Sequence, residues 1–418
     1  MTIPIPGVRD IVDGISAALG WFSNRKEKFF LNAWKNASMD EVYKIIMEYY
    51  SDLGDCLFSY PQSRSGPVAV PLYVAPGWDA LSNASINMHF RDRIKAFQPT
   101  KSQEAFWDFY ARFKKDAIGK EKWPLYDADI FRLVELNVVE DGLDLTFELG
   151  KFPHTVMCQY VLEHEVITLL AKDSNPEHGK FKLRNSVAGH AQMIASFFEK
   201  NVARIGICNL ILLRVDKKTY VPVVQKRSKL SMVQQQLFDP VSSCIFEVAT
   251  APKADFALRH TVLREIYEEL FGNPDIVYSA RELDPYFFYK KDGIADLIEL
   301  IRAGSATFEV TGFCIDLIRI VPEISTVLIV RDEGYYRRHY RPINSSVAPF
   351  RLNPEFGLGS LFQMPSDLSD VDEYLMTGVV ANPDGDPKEC GFDPMKWTLP
   401  GGFSFYQGLR RAVEKNLL

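Results

Sequence analysis

Several features that would assign the chain to a common class of protein are missing from its sequence. The six cysteines are widely spaced and contain no CxxC pair, which argues against a zinc site or a disulfide framework. No apolar run reaches the roughly 18 residues of a membrane-spanning helix. The N-terminus has Pro4, Pro6 and Asp10 where a signal peptide would have positive charge followed by an apolar run. We therefore expect a cytoplasmic protein with reduced, buried thiols and no membrane contact.

An excess of positive charge is also missing. The chain has 48 Lys and Arg residues against 54 Asp and Glu residues, a net charge of -6. Broad binding of nucleic acid needs a basic surface to meet the phosphates, so this balance predicts no such binding. Residues 1–195 contain no nucleophile–base pair, glycine-rich phosphate loop or cluster with metal-ligand spacing, so we assign no chemistry to them.

Length and composition are typical of a soluble protein with more than one domain. The 418 residues are 47% hydrophobic and 24% charged, which indicates two or three domains with separate cores. A hairpin is predicted at residues 131–152, where apolar and polar residues alternate on both sides of a turn. The polar, turn-rich stretch 173–179 marks a boundary. We predict an N-terminal α+β domain over residues 1–180, with no assigned role, and a second domain over residues 181–418.

The second domain is predicted to contain a mixed sheet flanked by helices. Residues 205–215 form an apolar run typical of a buried strand, and residues 220–228 are the strand that returns after a turn. Residues 306–320 and 325–332 are two further apolar strands, and residues 397–416 are a closing turn and helix. Together these patterns place the chain in the α/β class, of the α+β kind.

The most informative stretch is residues 258–272, LRHTVLREIYEELFG. On an α-helix, Glu265, Glu268 and Glu269 stand at positions i, i+3 and i+4 and share one face. Three neighbouring carboxylates repel one another unless a cation lies between them, and oxygen ligands of this kind suit Mg²⁺ or Mn²⁺. The alternative is an acidic face that is exposed to solvent.

This segment resembles the second half of the Nudix box, the helix with which Nudix hydrolases bind Mg²⁺ and cleave diphosphates. The resemblance extends over about residues 200–345. The residues that carry it are Arg264, Glu265, Ile266, Glu268 and Glu269.

The first half of the box departs from the family's pattern. The family's upstream glutamate would fall at Phe256 and its upstream glycine at Thr250, and the glycine that follows the helix comes one residue late, at Gly272. Glu247 or Asp255 could replace the missing glutamate. The box is therefore degenerate. These departures bear on the expected rate of hydrolysis more than on the expected fold.

The resemblance implies a metal-dependent hydrolase of a nucleoside diphosphate-linked substrate. Glu265, Glu268 and Glu269 would hold Mg²⁺ or Mn²⁺, which would polarise a phosphate oxygen and activate a water. Glu265 and Arg264 are the implied catalytic residues, with Arg264 holding Glu265 in an ion pair.

Basic residues near the acidic helix are also implied. An extra carboxylate could come from Asp332 or Glu333. The side chains that would meet the substrate phosphates through charge-assisted hydrogen bonds are Lys226, Arg227, Arg337 and Arg338.

A second hypothesis is a Nudix-like nucleotide-sensing or interaction module with little or no turnover. The missing upstream glutamate and the displaced glycine favour it. Under both hypotheses the partner is a nucleotide-like small molecule, and the sequence leaves a homodimer open.

Overall fold

The chain has an α+β fold, as the sequence predicts. It is a computed structural model, and it describes residues 33, 38–61, 67–94, 96–118, 128–188, 191–217, 219–227, 237–271, 273, 284–339, 356–358, 361–362, 364–365, 379–381, 387–389 and 392–418.

Helices are distributed along the whole described chain. The α-helices are α1 (Met39–Tyr49), α2 (Lys101–Ile118), α3 (Phe152–Thr155), α4 (Val161–Leu170), α5 (Lys182–Ala188), α6 (Ala191–Lys200), α7 (Pro252–Asp255), α8 (Leu258–Glu269), α9 (Asp292–Arg302), α10 (Glu333–His339) and α11 (Leu399–Glu414). A π-helical turn, Val156–Tyr160, joins α3 to α4. None of these described helices is long and apolar enough to cross a membrane.

The described strands form three sheets. They are β1 (Leu57–Tyr60), β2 (Val68–Tyr73), β3 (Ile86–Ile94), β4 (Asp129–Val139), β5 (Gly142–Lys151), β6 (Ala203–Arg204), β7 (Gly206–Asp216), β8 (Thr219–Arg227), β9 (Phe238–Pro240), β10 (Ser243–Ile245), β11 (Ala306–Asp316), β12 (Val321–Val330), β13 (Phe356–Leu358), β14 (Leu361–Phe362), β15 (Met364–Pro365), β16 (Val379–Ala381) and β17 (Pro387–Glu389). The large sheet has the order β1-β2-β11-β12-β7-β8-β13, with β10 beside β7 and with β9 and β15 beside β8. The smaller sheets have the orders β3-β5-β4-β6 and β14-β16-β17.

The centre of the large sheet is mixed, as predicted. β12 runs parallel to β7, with Glu323 opposite Gly206, whereas β11 with β12 and β7 with β8 are antiparallel pairs. All of β12 and the first eight residues of β7 are buried. Continuous burial of this kind is expected where helices cover both faces of a sheet, and it explains the unbroken apolar runs in the sequence.

Both strands predicted after α9 have wrong boundaries, and the one predicted at residues 325–332 begins earlier, at Val321. The strand predicted at residues 306–320 ends at Asp316, because the Asp316 carboxylate accepts the backbone N–H of Ile318 at 2.8 Å and stabilises a turn. Ile320 completes the turn with a φ of 55°. Leu317, Ile318 and Ile320 of this turn are apolar and buried, so apolar periodicity could not distinguish them from strand.

Helix α11 covers the large sheet by packing against β7, β11 and β12. The Ser404 hydroxyl donates to the Cys208 carbonyl at 2.7 Å, and a side chain at Gly408 would collide with Leu210. The predicted closing helix is therefore confirmed, and glycine permits its close approach to β7. Helices α8 and α10 contact β7, and α9 contacts β11.

The predicted hairpin at residues 131–152 is confirmed as β4 and β5, which pair over residues 129–151. Its aromatic side chains pack on the segment that leads into α8. The ring centroids of Phe131 and Phe246 lie 4.5 Å apart, and those of Phe147 and Phe256 lie 5.4 Å apart. The small sheet therefore anchors the chain on the N-terminal side of the acidic helix.

Several elements cross the predicted boundary at residue 180. β2 pairs with β11, so N-terminal residues extend the large sheet, and β6 pairs with β4 of the small sheet. The fully buried Arg184 donates to the Tyr50 hydroxyl at 3.2 Å. The division into domains at residue 180 stays a prediction.

Candidate functional site

Helix α8 is enclosed by the rest of the protein along most of its length. Every residue from His260 to Glu269 is buried. Glu265, Glu268 and Glu269 have exposed fractions of only 9%, 4% and 7%. The alternative of a solvent-exposed acidic face is therefore wrong, and buried carboxylates need compensating partners because their desolvation is costly.

The start of α8 is set by the turn before it. Ala257 is extended, and its carbonyl accepts the N–H of Thr261 at 3.0 Å as the helix begins. Upstream, the buried Asp255 accepts backbone N–H groups from residues 249–251 at 3.0, 2.7 and 2.9 Å. Asp255 thus holds α7 and this turn together and fixes where α8 enters the site.

Arg264 lies among the carboxylates. Its Nη2 is 3.0 Å from Oε1 of Glu265 and 3.4 Å from Oε1 of Glu247, and its Nε is 3.9 Å from Oε1 of Glu268. Burial by itself would lower the pKa of Arg264, but the surrounding carboxylates raise it well above its ordinary value. The implied ion pair between Arg264 and Glu265 is therefore present, with Arg264 fully charged.

Glu247 is the upstream carboxylate that joins the acidic helix. It lies between β10 and α7, in a segment that forms a β-bridge with Ile130 of β4, and it contacts Arg264. Asp255 instead faces His260, with Oδ1 3.3 Å from Nε2. Of the two proposed substitutes for the missing glutamate of the box, Glu247 is therefore the one whose position fits.

Glu269 is held by a backbone group from outside the helix. The N–H of Ser242 donates to Oε2 of Glu269 at 2.6 Å, and Ser242 has a φ of 78°. This left-handed conformation is uncommon for residues other than glycine, and such conformations cluster at functional sites. Burial raises the pKa of Glu269 well above its ordinary value, and the negative charge of Glu265 raises it further.

Four buried carboxylates, three on α8 and one at Glu247, cluster around this helix. Oε1 atoms of Glu265, Glu247 and Glu268 lie 3.0, 3.4 and 3.9 Å from the Arg264 guanidinium, whereas Glu269 contacts the Ser242 backbone. The oxygen donors fit a hard cation such as Mg²⁺ or Mn²⁺. In the described part of the chain, however, no three His, Cys, Asp or Glu side chains converge as metal ligands. Glu265 faces Arg264 and Glu269 faces the Ser242 backbone instead.

The two basic residues at the end of β8 lie near this segment. Nη1 of Arg227 is 2.9 Å from Oδ2 of the buried Asp239. Asp239 also accepts the hydroxyls of Thr398 and Ser243 at 2.8 and 3.1 Å. Lys226 is described by its backbone alone, which pairs with β9. The hydrogen bonds around Asp239 hold the Arg227 guanidinium beside the strand that follows Ser242.

The basic residues of α10 are exposed and paired with acids. Nη2 of Arg337 is 3.0 Å from Oε2 of Glu333, and Nε of Arg338 is 3.0 Å from Oδ2 of Asp296 on α9. Both guanidinium groups are therefore oriented by carboxylates, Arg338 also by Oδ1 of Asp332 at 3.7 Å, and both side chains are more than half exposed. Their contact with a substrate phosphate stays a prediction.

Asp332 and Glu333, the candidates for an extra carboxylate, stand at the start of α10. Oδ1 of Asp332 accepts the backbone N–H of Tyr335 at 2.6 Å, which caps the helix, while Glu333 is used in the ion pair described above. Helix α10 approaches the end of α8, where the rings of His339 and Phe271 are 6.0 Å apart. The structure thus places α10 near the end of α8, but the polar groups of α10 contact one another or Asp296 on α9.

A cavity of about 240 Å³ borders the acidic cluster, and the sequence patterns do not indicate it. Arg204, Arg319 and Glu323 line it together with Cys244. Burial raises the pKa of Cys244 well above its ordinary value, and the charge of Glu265 raises it further, so the cavity and the cluster are neighbours. The signal that could have indicated the cavity is a charged residue inside an apolar run.

Compared with known proteins, the chain matches no family model and no curated protein. The resemblance to the Nudix box therefore rests on the sequence of residues 264–269.

Proposed function

We propose that the protein is a Nudix-type, metal-dependent hydrolase of a nucleoside diphosphate-linked substrate. The observation that supports this most is the burial of the acidic face of α8, where the carboxylates of Glu265 and Glu268 converge with Glu247 on Arg264. An exposed acidic face needs no partner, whereas carboxylates that are clustered in a buried site favour a bound cation.

Glu265, Glu268 and Glu269 would hold the ion, Mg²⁺ or Mn²⁺. A bound ion of this kind polarises a phosphate oxygen and lowers the pKa of a coordinated water. Arg264 acts as a positioning residue, because its contacts at 3.0 and 3.4 Å hold Glu265 and Glu247 on the same side of α8.

The basic residues would bind the phosphates of the substrate. Arg227, Arg337 and Arg338 are each held on one edge by a carboxylate, and this orients the planar guanidinium for a second contact. Lys226, next to Arg227 in β8, would add a further positive charge at the same strand end.

A catalytically weak nucleotide-sensing or interaction module is the second candidate. The observation that favours it is that Glu265 and Glu269 already have protein partners, Arg264 and the Ser242 backbone. These contacts within the protein reduce the ability of the two carboxylates to bind a metal.

Turnover of a panel of nucleoside diphosphate derivatives with Mg²⁺ or Mn²⁺ distinguishes the two candidates. The test variant is the double substitution Glu268→Gln/Glu269→Gln, and the matched control is Glu299→Gln on the exposed face of α9. The hydrolase predicts turnover by the wild type and the control, and a loss of about 100-fold or more in kcat/KM in the double variant.

Binding of a nucleotide by the wild type without turnover would support the sensing module instead. The absence of both binding and turnover across the panel would contradict both candidates. Circular dichroism of the double variant checks that it remains folded.

A further inference from the structure

The cavity beside the acidic cluster is lined by residues that come from distant parts of the chain. Tyr160 comes from the π-helical turn, Arg204 from β6, Arg319 from the turn between β11 and β12, and Glu323 from β12. Its volume of about 240 Å³ is below the roughly 300–1,000 Å³ of clefts that enclose drug-sized ligands. The cavity is therefore suited to a compact group rather than to a whole nucleotide.

One buried cation in this cavity has no direct counterion. Arg204 is only 8% exposed, and within the described residues it makes no ion pair, while its Nε has no hydrogen-bond partner. Arg319, in contrast, has Nη2 and Nε at 2.7 and 3.0 Å from Oδ2 of Asp316. A buried guanidinium that makes no ion pair is costly, so Arg204 favours an anion in the cavity.

Two guanidinium groups lie against one aromatic ring in this cavity. The Cζ atoms of Arg204 and Arg319 are 5.9 and 5.6 Å from the centroid of the Tyr160 ring. The ring stabilises each cation, but the two guanidinium groups carry like charges, which repel each other. An anion that accepts hydrogen bonds from both groups would remove the repulsion.

Two carboxylates line the same cavity: Asp239, which is paired with Arg227 of the lining at 2.9 Å, and Glu323. The carboxylate of Glu323 packs directly over Gly206, where any side chain would overlap it, so glycine makes the space for it. Burial raises the pKa of Glu323 to about 7, although Arg204 and Arg319 oppose this. Near neutral pH a large share of Glu323 is therefore uncharged and does not neutralise Arg204.

We propose that this cavity binds a phosphate group, with the guanidinium groups of Arg204 and Arg319 as its hydrogen-bond donors. Guanidinium groups present paired N–H donors that match the oxygens of a phosphate, which makes arginine better suited than lysine for this contact. The proposal does not depend on the divalent cation proposed for α8.

Isothermal titration of inorganic phosphate into the full chain at pH 6, with EDTA present, tests the proposal. The test variant is Arg204→Gln. The control is Arg214→Gln, at the other end of β7, where the guanidinium donates to the carbonyl of Asp216 at 3.1 Å. The wild type and the control are expected to bind one phosphate per chain, and Arg204→Gln is expected to bind at least about tenfold more weakly.

A second measurement keeps the test valid if Arg204→Gln does not fold. Phosphate is expected to raise the Tm of the wild type above its Tm in chloride of equal ionic strength. Ribose 5-phosphate, compared with free phosphate, shows whether the occupant is a phosphate ester or the free ion, because the natural source should bind more tightly.

The proposal is overturned if phosphate neither binds to the wild type nor raises its Tm, or if Arg204→Gln binds phosphate as the wild type does. The Glu268→Gln/Glu269→Gln variant is expected to keep its phosphate affinity in EDTA. Failure of this proposal is thereby separated from failure of the hydrolase proposal, which depends on those two glutamates.

Discussion

Nη2 of Arg264 lies 3.0 Å from Oε1 of Glu265, and neither residue is more than 9% exposed. The same nitrogen lies 3.4 Å from Glu247, which precedes α8 in the chain. One guanidinium thus links the acidic helix to the segment that enters it. Because the pairs are buried, removing the cation would leave carboxylates in a poorly solvated environment.

Arg264→Met is expected to lower the free energy of unfolding by about 3–5 kcal/mol, because it removes the cation from several buried carboxylates. Urea unfolding at pH 7 measures the change. The control is Arg302→Met, which breaks an exposed pair with Glu299 and should cost less than about 1 kcal/mol. A loss as small for Arg264→Met as for the control would show that the cluster does not depend on Arg264.

Glu163→Gln is expected to stabilise the protein at high pH. Glu163 on α4 is 2% exposed, and its Oε2 has no hydrogen-bond partner among the described residues. Burial raises the pKa of Glu163 to about 7, although the positive charge of Arg319 lowers it. A folded pKa above the unfolded value of 4.5 means that the stability due to the protonated form is present below pH 4.5 and is lost as the pH rises through 7.

The variant should therefore exceed the wild type in free energy of unfolding by up to about 3 kcal/mol at pH 8, and by progressively less toward pH 5. Urea unfolding at four pH values between 5 and 8 measures the difference. Glu177→Gln, on the surface, is the control. A difference that does not change with pH would contradict the account of Glu163.

Anion binding in the Arg204 cavity is expected to weaken between pH 6 and pH 8. Sulfate is the suitable probe because its own charge is constant in this range. As the pH rises, Glu323 loses its proton and its negative charge competes with the anion. The charged or titratable groups that lie near Glu323 or line the same cavity are Arg204, Arg227, Arg319, Asp239, Asp316, Tyr160, Cys208, Cys244 and Cys314.

Calorimetric titration of sulfate measures this effect, with Glu323→Gln as the matched variant. The wild type should lose affinity by about tenfold from pH 6 to pH 8, whereas the variant should bind with nearly constant affinity. An equal loss in both proteins would assign the pH dependence to a group other than Glu323.

The fold was predictable from the sequence where the apolar pattern is local and regular. The strand predicted at residues 205–215 is Gly206–Asp216, and the helix predicted at residues 258–272 ends at Glu269 with Leu270 as its C-cap. Burial of the acidic face was not predictable, because the i, i+3, i+4 spacing is the same on an exposed helix and on an enclosed one. Helix α8 is enclosed because segments that are distant in the sequence pack against it.

The cavity could not be predicted for a related reason. Its lining residues Tyr160, Arg204 and Arg319 are far apart in sequence and meet because β6 joins the small sheet while β12 lies in the large one. Periodicity reports which face of an element is buried, but it carries no information on which other element covers that face. Charged residues inside apolar runs, such as Glu323, were the available signal.

The central claim, that the glutamates of α8 bind a divalent cation, is tested most directly by calorimetric titration of Mn²⁺. The wild type and the exposed control Glu299→Gln are expected to bind one ion per chain with equal affinity. Glu268→Gln/Glu269→Gln is expected to bind at least about tenfold more weakly, because two anionic ligands are lost. Equal affinity in all three proteins, or no Mn²⁺ binding by the wild type at millimolar concentration, would contradict the claim.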